Sequence, residues 1–141
     1  MDAVRFSQKT LRSLSIPERR RLESLTLTSE SFMRVLLQDN PETAVCWLAK
    51  SRGHILGWSL IRWFPADIFN RTGSNISVFV DRIHRGRGLG KRLVREAVGY
   101  AHDHDMKPWF YGASQEQINF YTACAVSPDH ITADPFCRRM P

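Results

Sequence analysis

The sequence predicts an α/β domain of the α+β type, with a mixed and mostly antiparallel central sheet and helices on both faces. Three observations carry that prediction. Thr43 to Lys50 (TAVCWLAK) and His54 to Phe64 (HILGWSLIRWF) are β-rich apolar runs around a Ser51-Arg52-Gly53 turn, which reads as an antiparallel hairpin. Both runs are apolar on both faces, so each side of the sheet needs a helical cover. A third strand, Ser74 to Val80, follows the loop Pro65 to Gly73 and completes a meander. Beyond it, a glycine-rich turn and a helix lead to the strand Pro108 to Ala113 and a last helix, an order that makes 76–80 and 109–113 a parallel pair.

Taken in order, Ala3 to Phe6 is a short candidate first strand. Ser15-Ile16-Pro17-Glu18 is a helix start: Ser15 caps, Pro17 lies in the first turn, and Glu18 stands at capping-box spacing. Leu22 and Leu25 mark the buried side of that helix, and Arg19, Arg20 and Arg21 are expected on a solvated face. A second helix is expected over Ser29 to Gln38, stopped by Asp39-Asn40-Pro41. After the meander, Leu89, Leu93, Val94, Ala97, Val98 and Ala101 fall on one helical face. His102-Asp103-His104-Asp105 reads as a solvated helix terminus, since H-x-H does not place both rings on one helical face; no metal is expected. Ser114 caps the last helix, with Gln117 at capping-box spacing. The tail Ser127 to Pro141 holds a short strand at His130 to Thr132, the turn Ala133-Asp134-Pro135, and Phe136 to Arg139.

The 141 residues suffice for one domain with a real core, and two domains would each be marginal. The formal charge of +6 comes mainly from 16 arginines against 4 lysines and suits an anionic partner: a 3′-phosphorylated nucleotide, an acidic protein surface or nucleic acid. Cys46, Cys124 and Cys137 are too few and too scattered for a disulfide framework or a C-x-x-C zinc site. There is neither an apolar run near the ~20 residues that cross a bilayer nor a signal-peptide core at the N-terminus, so a cytoplasmic protein without a membrane partner is expected.

The chemistry centres on Arg85-Gly86-Arg87-Gly88-Leu89-Gly90-Lys91. Glycines alternating between a strand and a helix let the backbone approach a ligand, and the helix start aims free N–H groups at it, the arrangement that holds phosphate. A dinucleotide fingerprint starting at Gly86 would need glycine where Lys91 stands, and a P-loop would need glycine where Arg85 stands; both fail. Arg85-x-x-Gly88-x-Gly90, with Val80-Asp81 before it and Leu89 and Leu93 after it, resembles the acetyl-coenzyme A motif of the GCN5-related N-acetyltransferases (GNAT). Ser114-x-x-Gln117-x-x-Phe120-Tyr121 is similar to that family's second motif; Phe120-Tyr121 matches, while Ser114, Gln117 and Ala125-Val126 depart from the usual Asn, Ala and Gly-Phe.

The resemblance implies a single domain over 1–141: a helical acceptor-side segment (1–41), a cofactor-binding core (43–126) and short C-terminal strands (127–141). It implies that the parallel strands splay apart, that acetyl-coenzyme A places its pyrophosphate on Gly86 to Lys91 with Arg85 adding charge, and that the pantetheine arm pairs with Phe79 and Val80 and meets Ser114. The Val80 N–H would face the developing oxyanion, and Tyr121, a phenol of pKa ~10, would protonate the departing thiolate. The activity implied is N-acetyl transfer to a primary amine of a small molecule, a protein N-terminus or a lysine. A homodimer through C-terminal strands is a common family arrangement. Two other readings compete: a basic nucleic-acid-binding protein using Arg19 to Arg21 and the RIHRGRG turn, which ranks low because it ignores Phe120-Tyr121, and a GNAT-fold binder of coenzyme A or a partner without turnover.

Overall fold

Apolar strands of this composition pair into one sheet, and the computed structural model describes it over residues 3–26, 43–63, 72–111 and 114–132. Six strands, β1 (Arg5–Thr10), β2 (Ala44–Ser51), β3 (His54–Trp63), β4 (Thr72–Val80), β5 (Met106–Tyr111) and β6 (Ile131–Thr132), lie side by side in chain order. The first four are antiparallel neighbours, while β4–β5 and β5–β6 are parallel, so the sheet is mixed as expected. Three α-helices, α1 (Ile16–Thr26), α2 (Leu89–Asp103) and α3 (Gln115–Ala123), and three short 3₁₀ turns complete the described elements. The helix expected over Ser29 to Gln38 lies outside the described residues, as do most of the loop before β4, Gly112 and Ala113, and the tail after Thr132.

Local chemistry accounts for most boundaries. The β2–β3 connection is a two-residue turn with Arg52 and Gly53 both at positive φ (51° and 78°), the twist a tight hairpin requires. Ser15 and Glu18 form the full reciprocal capping box: the Glu18 amide donates to Ser15 Oγ at 3.2 Å, and the Ser15 amide to Glu18 Oε1 at 2.8 Å. Two expectations shift. The first strand is Arg5–Thr10 rather than Ala3 to Phe6, because its polar residues are held through backbone pairing to β2, in register from Arg5 opposite Lys50 to Thr10 opposite Val45. The parallel pair joins 72–76 to 106–110, not 76–80 to 109–113.

Successive side chains of each strand alternate between two cores. Val45, Trp47 and Ala49 of β2 share one with Ile61, Ile76 and Phe110, covered by Leu93, Val94, Ala97 and Ala101 of α2. Ala44, Cys46 and Leu48 share the other with Trp58 and Leu60, covered by Leu22 and Leu25 of α1. The second core is closed at the start of α1 by Glu18, whose carboxylate takes Lys50 at 2.6 Å and Lys9 at 3.2 Å. Burial pushes that carboxyl up, but the hydrogen bonds from Lys50, the Ser15 amide and Lys9 more than offset it and hold it at about 2.

The arginine triplet of α1 is not the solvated face its composition suggests. Arg19 reaches the Leu11 carbonyl at 3.4 Å; Arg21 donates to the Ile55 carbonyl at 3.1 Å and to Asp81 at 2.8 Å. Of the three, Arg20 is the exposed one. Arg21 therefore ties α1 to the end of β4, directly before the glycine turn.

Candidate functional site

The sheet forks beside the glycine turn. Parallel pairing of β4 with β5 stops at Ile76 and Phe110, yet β4 runs on through Val80 while β5 turns to pair with β6. The ladder on the other side of β4 determines which groups face the gap. Asp81 donates to the Leu56 carbonyl at 2.8 Å, so by alternation the Gly57 and Val80 pair directs its peptide groups outward. Val78 and Val80 thus present N–H and C=O to the fork, while the peptide groups of Phe79 face β3 and its ring stacks on Trp58 at 5.1 Å.

Gly57 makes this close approach feasible. A Cβ there would lie 2.8 Å from the Phe79 carbonyl oxygen and 3.3 Å from Leu93 Cδ1, so only glycine lets β3, β4 and α2 meet at the end of the fork. No short sequence pattern marks it, because the crowding comes from partners distant in the chain.

The turn stands at the mouth of the fork. One 3₁₀ turn (Arg82–His84) follows β4, with Asp81 accepting from the Ile83 amide at 3.3 Å; hydrogen bonding to Arg21 lowers the Asp81 pKa. Gly86 and Gly88 adopt positive φ (80° and 81°), and Gly88 is the left-handed residue from which α2 starts, accepting from the Arg92 amide at 3.1 Å. The first amides of α2 after it, at Leu89, Gly90 and Lys91, belong to the helix end that has no intrahelical acceptor. Arg85, Arg87 and Lys91 are exposed around it, and Arg85 Nε turns back to the Val80 carbonyl at 3.2 Å. Leu89 and Gly90 face inward; the Phe120 ring lies so close over Gly90 that an added Cβ would come within 2.8 Å of its tip.

On the far side of the fork, α3 delivers Tyr121. Ser114 caps this helix, its Oγ accepting from the Gln117 amide at 3.2 Å. The other end closes as a Schellman motif: Val126 donates to the Tyr121 carbonyl at 3.1 Å and Ala125 to that of Thr122 at 3.0 Å, with Ala125 at φ 65°. A left-handed residue is needed there, which gives a physical reason for the glycine usual in the related motif. Tyr121 is 6% exposed and packs on Phe110, the last β5 residue paired to β4, at a ring separation of 4.8 Å. A cleft of about 620 Å³ runs below, with Val94, Val98, Phe110, Cys124 and Val126 in its walls and Lys91 and Arg95 on its rim. Burial raises the Cys124 pKa against the opposing charge of Lys91, and pushes Cys46, under α1, up to about 12. Among the described residues no three His, Cys, Asp or Glu side chains form a metal-binding group; His104 instead stacks on Tyr100 at 3.9 Å, with Nδ1 2.8 Å from that residue's carbonyl.

The fold thus defines a class, small α/β domains whose sheet forks beside a glycine turn at a helix start. A family model described as the acetyltransferase (GNAT) family matches residues 10–126, and the chain belongs to that family. No curated protein matches it in sequence. Among solved structures it is similar to a ribosomal-protein-alanine N-acetyltransferase from Brucella melitensis biovar Abortus 2308 (19% identity, 90% of this chain and 94% of that one, TM-score 0.65). It is also similar to a glucosamine-6-phosphate N-acetyltransferase from Arabidopsis thaliana (19%, 87% and 92%, 0.64). A third is a predicted acetyltransferase from Clostridium acetobutylicum solved with acetyl-coenzyme A (14%, 89% and 90%, 0.69). At these identities the likeness establishes the fold.

Proposed function

We propose that the protein transfers an acetyl group from acetyl-coenzyme A to a primary amine. The observation that carries the reading is the fork: it opens past Ile76 and Phe110, its β4 edge offers Val78 and Val80, the turn stands at its mouth and Tyr121 at its base. The amides of Gly86 to Lys91 hold the pyrophosphate, with Arg85, Arg87 and Lys91 around them. The pantetheine arm pairs with the free edge of β4 beside Phe79, and the Ser114 hydroxyl, whose oxygen caps α3, keeps its hydrogen to donate to the arm. The cleft beside Lys91 and Arg95 offers the nucleotide end an apolar wall with two cations on its rim.

The neutral amine attacks the thioester carbonyl and the Val80 N–H takes up the developing oxyanion; Tyr121 donates its proton to the coenzyme A thiolate as the C–S bond breaks, and the proton that the attacking nitrogen gives up passes to water, from which Tyr121 is reprotonated. Two of the solved relatives, named as N-acetyltransferases of a ribosomal-protein alanine and of glucosamine 6-phosphate, support amine acetylation in general, and the third, solved with acetyl-coenzyme A, supports the donor. The nucleic-acid reading loses support because Arg19 and Arg21 are engaged inside the fold. Calorimetry with acetyl-coenzyme A, followed by thiol release with amines, tests the proposal. Cofactor binding with amine-dependent release is the expected result; binding without release from any amine favours a non-catalytic binder, and no binding removes both readings.

A further inference from the structure

The turn assigned to the pyrophosphate is continuous with α2 on one side and is entered from Asp81 on the other. Every polar group of Asp81 is engaged. Its amide donates to the Leu56 carbonyl at 2.8 Å and its carbonyl accepts from the His84 amide at 2.9 Å, while Oδ1 accepts from the Ile83 amide at 3.3 Å and Oδ2 from Arg21 Nη2 at 2.8 Å. Asp81 thus ties the end of β4 to β3 and closes the 3₁₀ turn Arg82–His84, directly before Arg85 and Gly86.

Arg21 holds that carboxylate from α1. Its guanidinium is engaged in three directions: Nε donates to the Ile55 carbonyl at 3.1 Å, Nη2 to Asp81, and Nη1 to Ser24 Oγ at 3.4 Å. The planar fork serves β3 and Asp81 at once, a geometry that a lysine ammonium on its flexible stem does not reproduce. Charge gives no reason for a carboxylate here. Arg82, Arg85, Arg87 and Lys91 are exposed around it, and a negative group among them opposes an anionic cofactor. Stability gives little reason either, since the side chains of the pair are 39% and 24% exposed, and exposed pairs add little. What the pair supplies is a fixed position for the chain that enters the glycine turn.

We propose that Arg21 and Asp81 are positioning residues for the cofactor: the pair holds the end of β4 and the turn Arg82–His84 so that the amides of Gly86 to Lys91 meet the pyrophosphate in binding geometry, without either side chain touching it. This rests on the acetyl-transfer reading above, whose pyrophosphate site it concerns. It gives α1, which covers the opposite face of the sheet from α2, a part in cofactor binding, exerted through Asp81 on the chain that leads into α2.

Calorimetry of the full chain with coenzyme A, beside thermal melts, is the test. Arg21→Met keeps the stem and removes the fork, and Asp81→Asn keeps the shape but leaves one acceptor oxygen where Arg21 and the Ile83 amide now take one each. Each should raise Kd by about fivefold or more, and the double variant should exceed the worse single by no more than about twofold, because both break one contact. The sign for Asp81→Asn separates position from charge. Removing a negative group beside an anionic ligand tightens binding if charge decides, and weakens it if position decides. Arg21→Lys should weaken binding at unchanged charge, whereas Arg20→Met, at the exposed neighbouring position, should leave Kd within about twofold although it removes the same charge. Tighter binding by Asp81→Asn, an unchanged Kd in Arg21→Met or Arg21→Lys, additive losses in the double variant, or an equal loss in Arg20→Met each overturns the inference. A lower Tm with Kd unchanged overturns it too, since the pair would then brace the fold alone. A native chain that binds no coenzyme A instead overturns the acetyl-transfer reading itself, and this inference with it.

Discussion

The two ends of the sheet treat their polar groups differently. At the β1–β3 end, Glu18 collects Lys9, Lys50 and the Ser15 amide, Ser59 is fully buried yet donates to the Leu93 carbonyl at 3.0 Å, and the hairpin closes on two left-handed residues. Around the β4–β5 fork the reverse holds: past Ile76 β4 is unpaired on its β5 side, the turn directs helix-start amides outward, and the buried Trp109 indole has no acceptor. Both ends bury comparable apolar residues, so packing alone does not separate them. The backbone does: strand and helix-start groups are left open at the fork and are paired across β1, β2 and β3.

The most severe way to break that contrast is to remove the proposed proton donor at the fork. Tyr121→Phe keeps the contact with Phe110 and deletes one hydroxyl, so it should lower kcat by about 10²-fold or more, within the range for general acid catalysis, with coenzyme A affinity changed by no more than about twofold. Steady-state kinetics beside calorimetry reads both. Full activity in the variant would remove Tyr121 from the chemistry and leave it as a core aromatic.

A pair of glycine substitutions sharpens the same boundary. Added methyl groups at Gly57 and Gly90 both come within 2.8 Å of a neighbour, yet the neighbours differ: at Gly57 it is the Phe79 backbone carbonyl, at Gly90 the tip of the Phe120 ring, which is 37% exposed. Gly57→Ala should therefore cost about 1–3 kcal/mol and weaken cofactor binding by shifting β4, while Gly90→Ala lets the ring swing aside and costs under about 1 kcal/mol. Thermal melts of the two variants check the order, and the reverse order would mean that the end of β4 yields more easily than an exposed side chain.

The same contrast explains what could be read from the sequence. The hairpin, the capping box of Ser15, the Ser114 cap, the glycine turn and the face of α2 are local patterns, and each stands where its residues indicate. The extent of β1 was not legible, since Arg5–Thr10 alternates weakly and is a strand because β2 pairs with it. The paired ranges lie four residues earlier on β4 and three earlier on β5, a register change of one residue, because β4 and β5 are aligned by the packing of Ile76, Phe110 and Tyr121 under α2 rather than by a turn. Arg21 read as solvated because its partner Asp81 is 60 positions away. The motifs pointed to the turn and to Tyr121, whereas Gly57 carries no local signature and emerges only from strand register.

At the satisfied end, Glu18→Gln tests whether the ion cluster stabilises as its geometry suggests. Removing the charge leaves Lys9 and Lys50 free to turn to water, which moderates the loss to about 1–3 kcal/mol. The pH dependence has a definite sign. The folded carboxyl titrates at about 2 against an ordinary value of 4.5, so its stabilising contribution is complete above pH 4.5 and is lost as pH falls toward 2. Denaturant melts between pH 6 and 2.5 should show the native chain losing stability in that window more steeply than the Gln variant. Parallel slopes would mean that the carboxylate is equally well solvated when unfolded.

The smallest effect comes from the end of α3, where the chain tolerates strain beside its proposed catalytic residue. Ala125 holds φ 65° so that Val126 can close on the Tyr121 carbonyl, and a Cβ in that region costs about 1 kcal/mol relative to glycine. Ala125→Gly relieves the strain but loosens the unfolded chain, so the net gain should be about 0.5 kcal/mol, roughly 1–2 °C in Tm for a protein of this size. Ala125→Val should move the other way, because a β-branched side chain resists positive φ more strongly. If the fork end is held loosely, as its unpaired groups suggest, the glycine variant should leave kcat unchanged while the valine variant lowers it by displacing Tyr121. A Tm that falls in both variants would mean that Ala125 makes a packing contact worth more than its strain, and that this end of α3 is braced as firmly as the Glu18 cluster.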